Sequence, residues 1–307
     1  MAQNSGHDLD VVTGAFSFTG GFIARKLIAS GRRVRTLTNH PHRPGAIEGV
    51  DVAPLQFSDR EALVESLRGA DVLYNTYWVR FPHRGLGFGD AIANTRRLIG
   101  AAAEAGVRKV VHISVSNPTP DSHLDYYAGK ARTEAIVREA GLPWAIVRPT
   151  LIFGPGDILI NNIAWLIRRL PVFFIPGNGM YRVQPVSGDD VGEIAMWAAA
   201  QRDDVTVDAA GPEVLTYAEL VHSIAIAVQR TPRVVHVPPA FTILAGAAVG
   251  RYVSDVILTR QELEGLMDEL LVSGEAARGH DRIDDWLLRN GEQLGRTYAS
   301  ELDRHFR

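Results

Sequence analysis

Tyr126 and Lys130 stand four residues apart in a stretch that reads as a helix, so both side chains fall on one helical face. An ammonium beside a phenol favours the phenolate and draws its pKa toward working pH. A phenol tuned in this way can give or take the proton of a carbonyl/alcohol pair while a hydride moves to or from another carrier. The chain has 8 Tyr and only three lysines, Lys26, Lys109 and Lys130, so the pair is unexpected by chance. A second chemically pointed stretch is Thr13-Gly14-Ala15-Phe16-Ser17-Phe18-Thr19-Gly20, which follows a short apolar run, Leu9–Thr13. A glycine-bearing turn between a strand and a helix lets backbone come close to a pyrophosphate, and the helix start offers unpaired N–H groups and a positive dipole end.

Several chemistries are excluded by composition. The 307 residues contain no cysteine, which removes disulfides, thiolate catalysis and cysteine-held metals. No metal site is expected. The net charge of −3 argues against binding nucleic acid by phosphate neutralisation. A hydrophobic share of 46% with 22% charged residues is that of a globular chain with a sizeable core. The start, MAQNSGHDLD, has no secretory apolar region, and the longest apolar stretch of the second half, Ala240 to Gly250, is too short for a membrane span and reads as a buried helix. A cytoplasmic location is the default.

The elements that must position these residues alternate. Strands are expected at Leu9–Thr13, Arg33–Thr38, Val50–Leu55, Asp71–Tyr77, Lys109–Ser114 and Trp144–Arg148. Helices are expected at Thr19–Ser30, up to Arg68, Asp90–Ala105 and Leu124–Ala140, each followed by a glycine that can end it. This order predicts an α/β fold, a doubly wound parallel sheet with ligand beyond the carboxyl ends of its strands. After Pro149 the rhythm breaks: an amphipathic helix Ile158–Leu170, a Pro/Gly-rich stretch Pro171–Gly179, a helix Asp189–Ala200 and a strand near Val205–Ala209. The rest is expected to be mostly helical. The expected division is a dinucleotide-binding domain over residues 1–150, with 183–210 returning to it, and a smaller, mostly helical C-terminal substrate lobe from 151–182 and 211–307.

The turn resembles the T-G-x-x-G-x-x-G fingerprint of the extended or atypical short-chain dehydrogenase/reductase superfamily, with Ser17 at the middle glycine. Tyr126 and Lys130 match its Y-x-x-x-K, and Arg148-Pro149-Thr150-Leu151-Ile152-Phe153-Gly154-Pro155 is similar to its segment leaving the sixth strand. Gln184-Pro185-Val186 through Asp190 is similar to another of its stretches, in which Asp190 begins a helix. The resemblance covers about residues 9–200; a shorter one, Leu258 to Leu263, is to the NAD(P)H-binding accessory subunit of respiratory complex I and its stand-alone relatives. It implies a Rossmann fold and an oxidoreductase passing hydride to or from a small carbonyl, enone or quinone-like molecule, with Tyr126 as acid/base and Lys130 tuning it and holding the nicotinamide ribose. It also implies a Ser or Thr after the fifth strand; in His112-Ile113-Ser114-Val115-Ser116 the position falls on or beside Val115, with Ser114 preferred and Ser116 as alternative. His112 reads as a packed strand residue.

The cofactor contacts implied are Gly14, Phe16, Ser17, Phe18, Thr19 and Gly20 in the turn, and Thr38, Asn39, His40 and Arg43 after the second strand. Further along are Gln56 and Phe57 near the adenine, then Asn75, Thr76 and Tyr77, with Pro149 and Ile152 on the nicotinamide side. Asn94 would help hold the active-site strand. No carboxylate ends the second strand, so NADP is favoured over NAD. Tyr77, Trp78, Arg80, Phe81 and Arg84, with Trp165, Arg168, Arg169, Tyr181 and Arg182, could line a pocket for a flat or apolar substrate with an anionic group; core packing and solvated helix ends are the plainer readings of Trp165 and of Arg168 and Arg169. The loop Val79–Gly89 could act as a flap. Two other functions stay open: a non-catalytic NAD(P)H-binding sensor or assembly factor, and a nucleotide-sugar epimerase/dehydratase. The second is weakened by Leu151, where such enzymes carry Asn. A homodimer is compatible with the sequence.

Overall fold

Residues 8–39 and 46–305 are described in the computed structural model of the chain. In chain order the elements begin β1 (Leu9–Thr13), α1 (Phe18–Ala29), β2 (Arg33–Leu37), β3 (Val50–Ala53), α2 (Arg60–Leu67), β4 (Val72–Asn75), α3 (Phe88–Glu104), β5 (Lys109–Ile113), α4 (Asp125–Arg138) and β6 (Trp144–Pro149). They continue β7 (Leu151–Phe153), α5 (Leu159–Arg169), β8 (Val172–Pro176), β9 (Arg182–Val183), β10 (Pro185–Ser187), α6 (Gly188–Ala200) and β11 (Val205–Ala209). The last are β12 (Leu215–Thr216), α7 (Tyr217–Ala227), β13 (Arg233–Val237), α8 (Pro239–Val253), α9 (Arg260–Met267), α10 (Ile283–Asn290) and α11 (Glu301–His305). The chain divides into two compact units, Met1–Pro149 with Gly188–Ala209, and Thr150–Ser187 with Ala210–Arg307.

The first unit is built on a seven-stranded sheet in the order β11-β6-β5-β4-β1-β2-β3, every neighbouring pair parallel. β1 and β5 are buried at every residue, as strands covered on both faces must be. The direction of strand succession reverses between β1 and β4, which opens a crevice at their carboxyl ends. α1 lies close against the sheet because Gly20 has no side chain: a Cβ there would overlap the Gly14 carbonyl oxygen. α6 packs on α1 for the same reason, since a Cβ on Gly188 would overlap the Phe22 ring. At the opposite, amino end of the strands lies a structural ion cluster. Arg32 donates through Nε and Nη2 to Asp10 at 2.8 and 2.7 Å and through Nη2 to Asp71 at 2.9 Å, and Arg108 also pairs with Asp71. Burial pushes the Asp10 carboxyl up against the pull of Arg32, while Asp71, with two arginines, is held below its usual range despite its burial.

The second unit packs α5, α7 and α10 around Phe153, Ile160, Ile163, Leu220, Ile224 and Leu287. Its strands pair as β10 with β7, β12 with β9 and β13 with β8. β8 lies within the Pro/Gly-rich stretch and was not expected as a strand; Val172–Pro176 pairs in parallel with Arg233–Val237, so the partner comes from far along the chain. Three other expectations are corrected. Ala240–Gly250 is helical within α8 but not buried: Gly250 alone in that helix is buried, and Leu244 is 68% exposed. Arg168 and Arg169 are engaged by backbone carbonyls, Arg168 half-buried and Arg169 still exposed as a solvated helix end would be. Arg168 donates to the carbonyls of Leu294 and Gly291, both at 2.7 Å, and Arg169 to those of Gly295 and Arg296 at 3.1 and 2.9 Å, so they bind the chain after α10 to α5. Arg182 is paired with Glu269. Trp165, in keeping with its plainer reading, packs in the core against Tyr298 with ring centroids 5.2 Å apart.

Candidate functional site

The β1–α1 turn is shaped by hydrogen bonds from its neighbours. The buried Thr36 hydroxyl donates to the Val12 carbonyl at 3.1 Å and accepts from the Ala15 N–H at 3.0 Å, and Gly14 N–H reaches the Leu37 carbonyl. Gly14 has φ +65°, in the left-handed region that suits glycine. Ser17 spends its hydroxyl proton on the Gly14 carbonyl, at 2.6 Å, and its side chain does not cap α1. The first turn of α1 carries no acidic residue. A phosphate-sized anion therefore meets a positive dipole end without a competing carboxylate. Phe16, Phe18 and Thr19 are half-buried around this turn, and Gly20 is buried beneath it.

Across the crevice, the end of β4 is tied to the end of β1. Thr76 donates its hydroxyl to the Thr13 carbonyl, and its N–H reaches Thr13 Oγ1 at 2.8 Å. Asn75 is fully buried, and its amide oxygen accepts from Thr13 Oγ1 at 3.3 Å and from the Tyr77 N–H at 3.0 Å. Its amide nitrogen lies 3.1 Å from His112 Nδ1. The other ring nitrogen, Nε2, is 3.1 Å from Thr133 Oγ1, whose proton goes to the Lys130 carbonyl at 2.8 Å. The chain of donors fixes the tautomer. Thr133 Oγ1 has given up its proton, so it accepts from His112 Nε2–H, and Nδ1 accepts from the Asn75 amide. Burial, together with the nearby Lys130 and Arg138 charges, holds the His112 pKa well below its ordinary value. A neutral imidazole on β5 thus links β4 to α4 and is not placed as an acid or base.

Lys130 is buried on α4, and its ammonium donates to the carbonyl of Ile113, the last residue of β5, at 3.0 Å. The Trp78 ring covers it, with Nζ 4.9 Å from the ring centroid. Trp78 lies flat against Gly129, where an added Cβ would come within 2.8 Å of the indole. It stacks on Phe88 at 5.8 Å and meets Tyr126 edge-on at 6.0 Å; Phe88 meets Tyr126 at 6.1 Å. Burial pushes Lys130 down to about 7, against the pull of Glu134. Tyr126 is half-buried at the rim of this aromatic cluster, one helical turn before Lys130.

Glu134, a further turn along α4, was not singled out from the sequence. It is 1% exposed and receives Arg148 of β6 through two bonds, Nε to Oε1 at 2.8 Å and Nη2 to Oε2 at 2.7 Å, with Arg138 Nη2 at 2.9 Å. Burial opposes its ionisation, but these arginines hold its pKa below the ordinary value. The pair fixes α4, and with it Tyr126 and Lys130, onto the sheet. The signal was a lone Arg at a strand end and a Glu four residues after Lys130. Ser114 is buried with its hydroxyl unpaired by good geometry, on the side of β5 that faces Glu134. Ser116 is fully buried, its N–H on the Pro149 carbonyl at 2.9 Å.

Of the remaining expected contacts, Thr38 is half-buried with its N–H on the Ala53 carbonyl, Asn39 and Gln56 are exposed, and Phe57 packs on Tyr77 at 4.7 Å. His40 and Arg43 lie outside the described residues. Asn94, expected to help hold the active-site strand, donates its amide to the hydroxyl of Tyr77, two residues past the end of β4, at 2.9 Å. Tyr77, whose burial raises its pKa, is thereby committed to the wall of the site. Ile152 belongs to the second unit, half-buried in β7. The expected flap contains a tight hairpin: His83 and Leu86 exchange two backbone hydrogen bonds of 3.0 Å around Arg84 and Gly85, both at positive φ.

Residues 14–155 match the family of NAD(P)H-binding domains. The chain is 27% identical over 276 residues to the NADH-ubiquinone oxidoreductase 40 kDa subunit of Neurospora crassa, spanning 86% of this chain and 72% of that protein. It is 29% identical over 219 residues to a (4-alkanoyl-5-oxo-2,5-dihydrofuran-3-yl)methyl phosphate reductase of Streptomyces griseus, spanning 68% and 70%. The solved Thermus thermophilus UDP-glucose 4-epimerase complex with NAD shares the fold with a TM-score of 0.64 at 19% identity, over 85% of this chain and 98% of that one. The chain therefore has a Rossmann-like α/β fold in which residues 14–155 match an NAD(P)H-binding family, is similar over most of its length to a 40 kDa subunit of NADH-ubiquinone oxidoreductase, and shares its fold with a solved UDP-glucose 4-epimerase.

Proposed function

We propose that the chain is an NAD(P)-dependent oxidoreductase acting on a flat, largely apolar carbonyl, enone or quinone-like substrate. The observation that carries this reading is the placement of Tyr126 and Lys130 on one face of α4, with the Lys130 ammonium anchored to the carbonyl that ends β5. Gly14 and Gly20, with the uncapped start of α1, suit a dinucleotide pyrophosphate. The bound cofactor supplies the hydride. Tyr126 exchanges the proton at the substrate oxygen. Lys130, poised to titrate near neutral pH, sets the charge beside it and offers donors to a ribose. Ser114 is the candidate donor to the same oxygen, with Ser116 as its alternative. The Trp78, Phe88 and Tyr126 rings favour a planar ligand. In this reading the first unit binds the dinucleotide and the second supplies substrate contacts.

NADP preference belongs to the same proposal. It rests on Thr38 and Asn39, which follow β2 and bring no carboxylate to oppose a 2′-phosphate. Titration of NADPH and NADH tests it, and equal affinities would remove it. A cytoplasmic location is also proposed; no helix among the described residues is long and apolar enough to cross a membrane.

Tyr126→Phe should bind NADPH as the parent does and lose turnover by about 100-fold or more. Unchanged turnover would end the mechanism. A second reading, a non-catalytic NAD(P)H-binding chain held in a larger assembly, is favoured by the similarity to a respiratory-complex subunit and by Trp78 lying over Lys130. It predicts retention of NADPH with no consumption across a panel of carbonyls and quinones, by parent and variant alike.

A further inference from the structure

The second unit carries a surface that its own fold does not explain. α8 has no charged residue from Pro239 to Gly250, and a helix apolar on all sides is ordinarily buried. This one is exposed along a stripe: Phe241 44%, Leu244 68% and, two turns on, Tyr252 84%. These positions fall on one face at helical spacing. Phe174 of β8 extends the stripe, meeting Phe241 edge-to-face at 5.3 Å, and is itself 36% exposed. The charges that flank it in the sequence have one sign. From Arg230 to Ser254 the sequence holds three arginines and no carboxylate. Arg233 and Arg251 are exposed, with no acidic partner among the described residues. The next carboxylate, Asp255, is turned inward and accepts from the Tyr298 hydroxyl at 2.6 Å and the Glu301 and Leu302 N–H groups at 2.8 and 3.0 Å.

We propose that this face docks the protein on an anionic phospholipid surface, with α8 lying in the plane of the interface. Apolar side chains flanked by arginines and a tyrosine are what such an interface receives: the rings and Leu244 enter the acyl boundary and the guanidinium groups meet headgroup phosphates. At 15 residues, or about 22 Å, α8 is shorter than the roughly 30 Å hydrocarbon layer, so it lies on the bilayer and does not cross it. A second copy of the chain fits less well, because the same face brings arginines and no carboxylate to meet arginines.

The test is co-sedimentation of the full chain with vesicles of phosphatidylcholine alone and of phosphatidylcholine with phosphatidylglycerol, at low and high salt. Binding to the anionic vesicles should exceed binding to the neutral ones about tenfold and fall with salt. Leu244→Asp should abolish it while leaving the melting temperature and NADPH affinity unchanged, which also separates this inference from the proposed activity. Arg251→Gln, which keeps the apolar stripe, should weaken it roughly fivefold. No sedimentation with either vesicle would overturn the proposal, as would undiminished binding by Leu244→Asp. So would a parent dimer that Leu244→Asp converts to monomer without vesicle binding.

Discussion

Lys130→Met removes the one ammonium held against the Trp78 ring and keeps the length of the side chain. The folded chain holds Lys130 at about 7, against an ordinary 10.5. Because its folded pKa lies below the unfolded one, the unfolded chain carries one more proton between those values, and stability rises with pH across that window. The slope is about 1.4 kcal/mol per pH unit, so the full swing is roughly 5 kcal/mol. Below pH 7 the parent carries the whole cost of a buried charge; above 10.5 it carries none. Met has no such dependence. It does forfeit the hydrogen bond to the Ile113 carbonyl, a cost of about 1–3 kcal/mol that is constant with pH. The quantity to read is therefore the slope, not the offset. Urea denaturation at pH 6, 7, 8, 9 and 10 should show the variant-minus-parent stability falling by about 1.4 kcal/mol per unit from pH 8 to 10 and level below pH 7. A difference that stays flat from pH 6 to 10 would mean that Trp78 does not shield Lys130 from water, and the account of the site would lose its electrostatics.

Other outcomes follow from the same geometry. Gly20→Ala should abolish NADPH binding by calorimetry, because the new Cβ pushes α1 away from the Gly14 carbonyl; retained affinity would show that α1 need not lie so close. Thr133→Val leaves the His112 Nε2–H buried without an acceptor and should cost about 1–3 kcal/mol in urea denaturation, whereas no loss would refute the tautomer derived from the chain of donors. Glu134→Gln strands the Arg148 and Arg138 guanidinium groups and should cost about 3–5 kcal/mol at pH 7. Since the Glu134 pKa is depressed in the fold, its contribution is present above 4.5 and lost as pH falls through the folded value, so the variant should match the parent in strong acid.

The sheet was legible because a parallel α/β layer alternates its strands with helices that glycines close, and Gly31, Gly69, Gly106 and Gly141 all fall at positive φ after helices. β8 was not legible, because Pro171 precedes it, Pro176 ends it, and its partner among the described residues lies some sixty residues on. The Tyr126–Lys130 spacing was readable in one dimension. The cover over it was not: Trp78 reaches Lys130 because Gly129 leaves room for the ring, a three-body fact. Arg168 and Arg169 looked like anion ligands from type alone, yet their targets are carbonyls more than 120 residues away. α8 misled in the opposite sense, since apolar composition reports affinity for a nonaqueous phase without saying whether the protein itself supplies it.

The seven-stranded sheet receives α6 and β11 only after some forty residues have been spent in the other unit. A nascent chain that has emerged only as far as β6 thus has the β6 edge open and Phe22 uncovered, a state prone to pairing with its neighbours on a polysome. Translation speed and chaperone supply across that interval should govern the yield of soluble protein, and truncation near Pro149 should give inclusion bodies instead of an autonomous half.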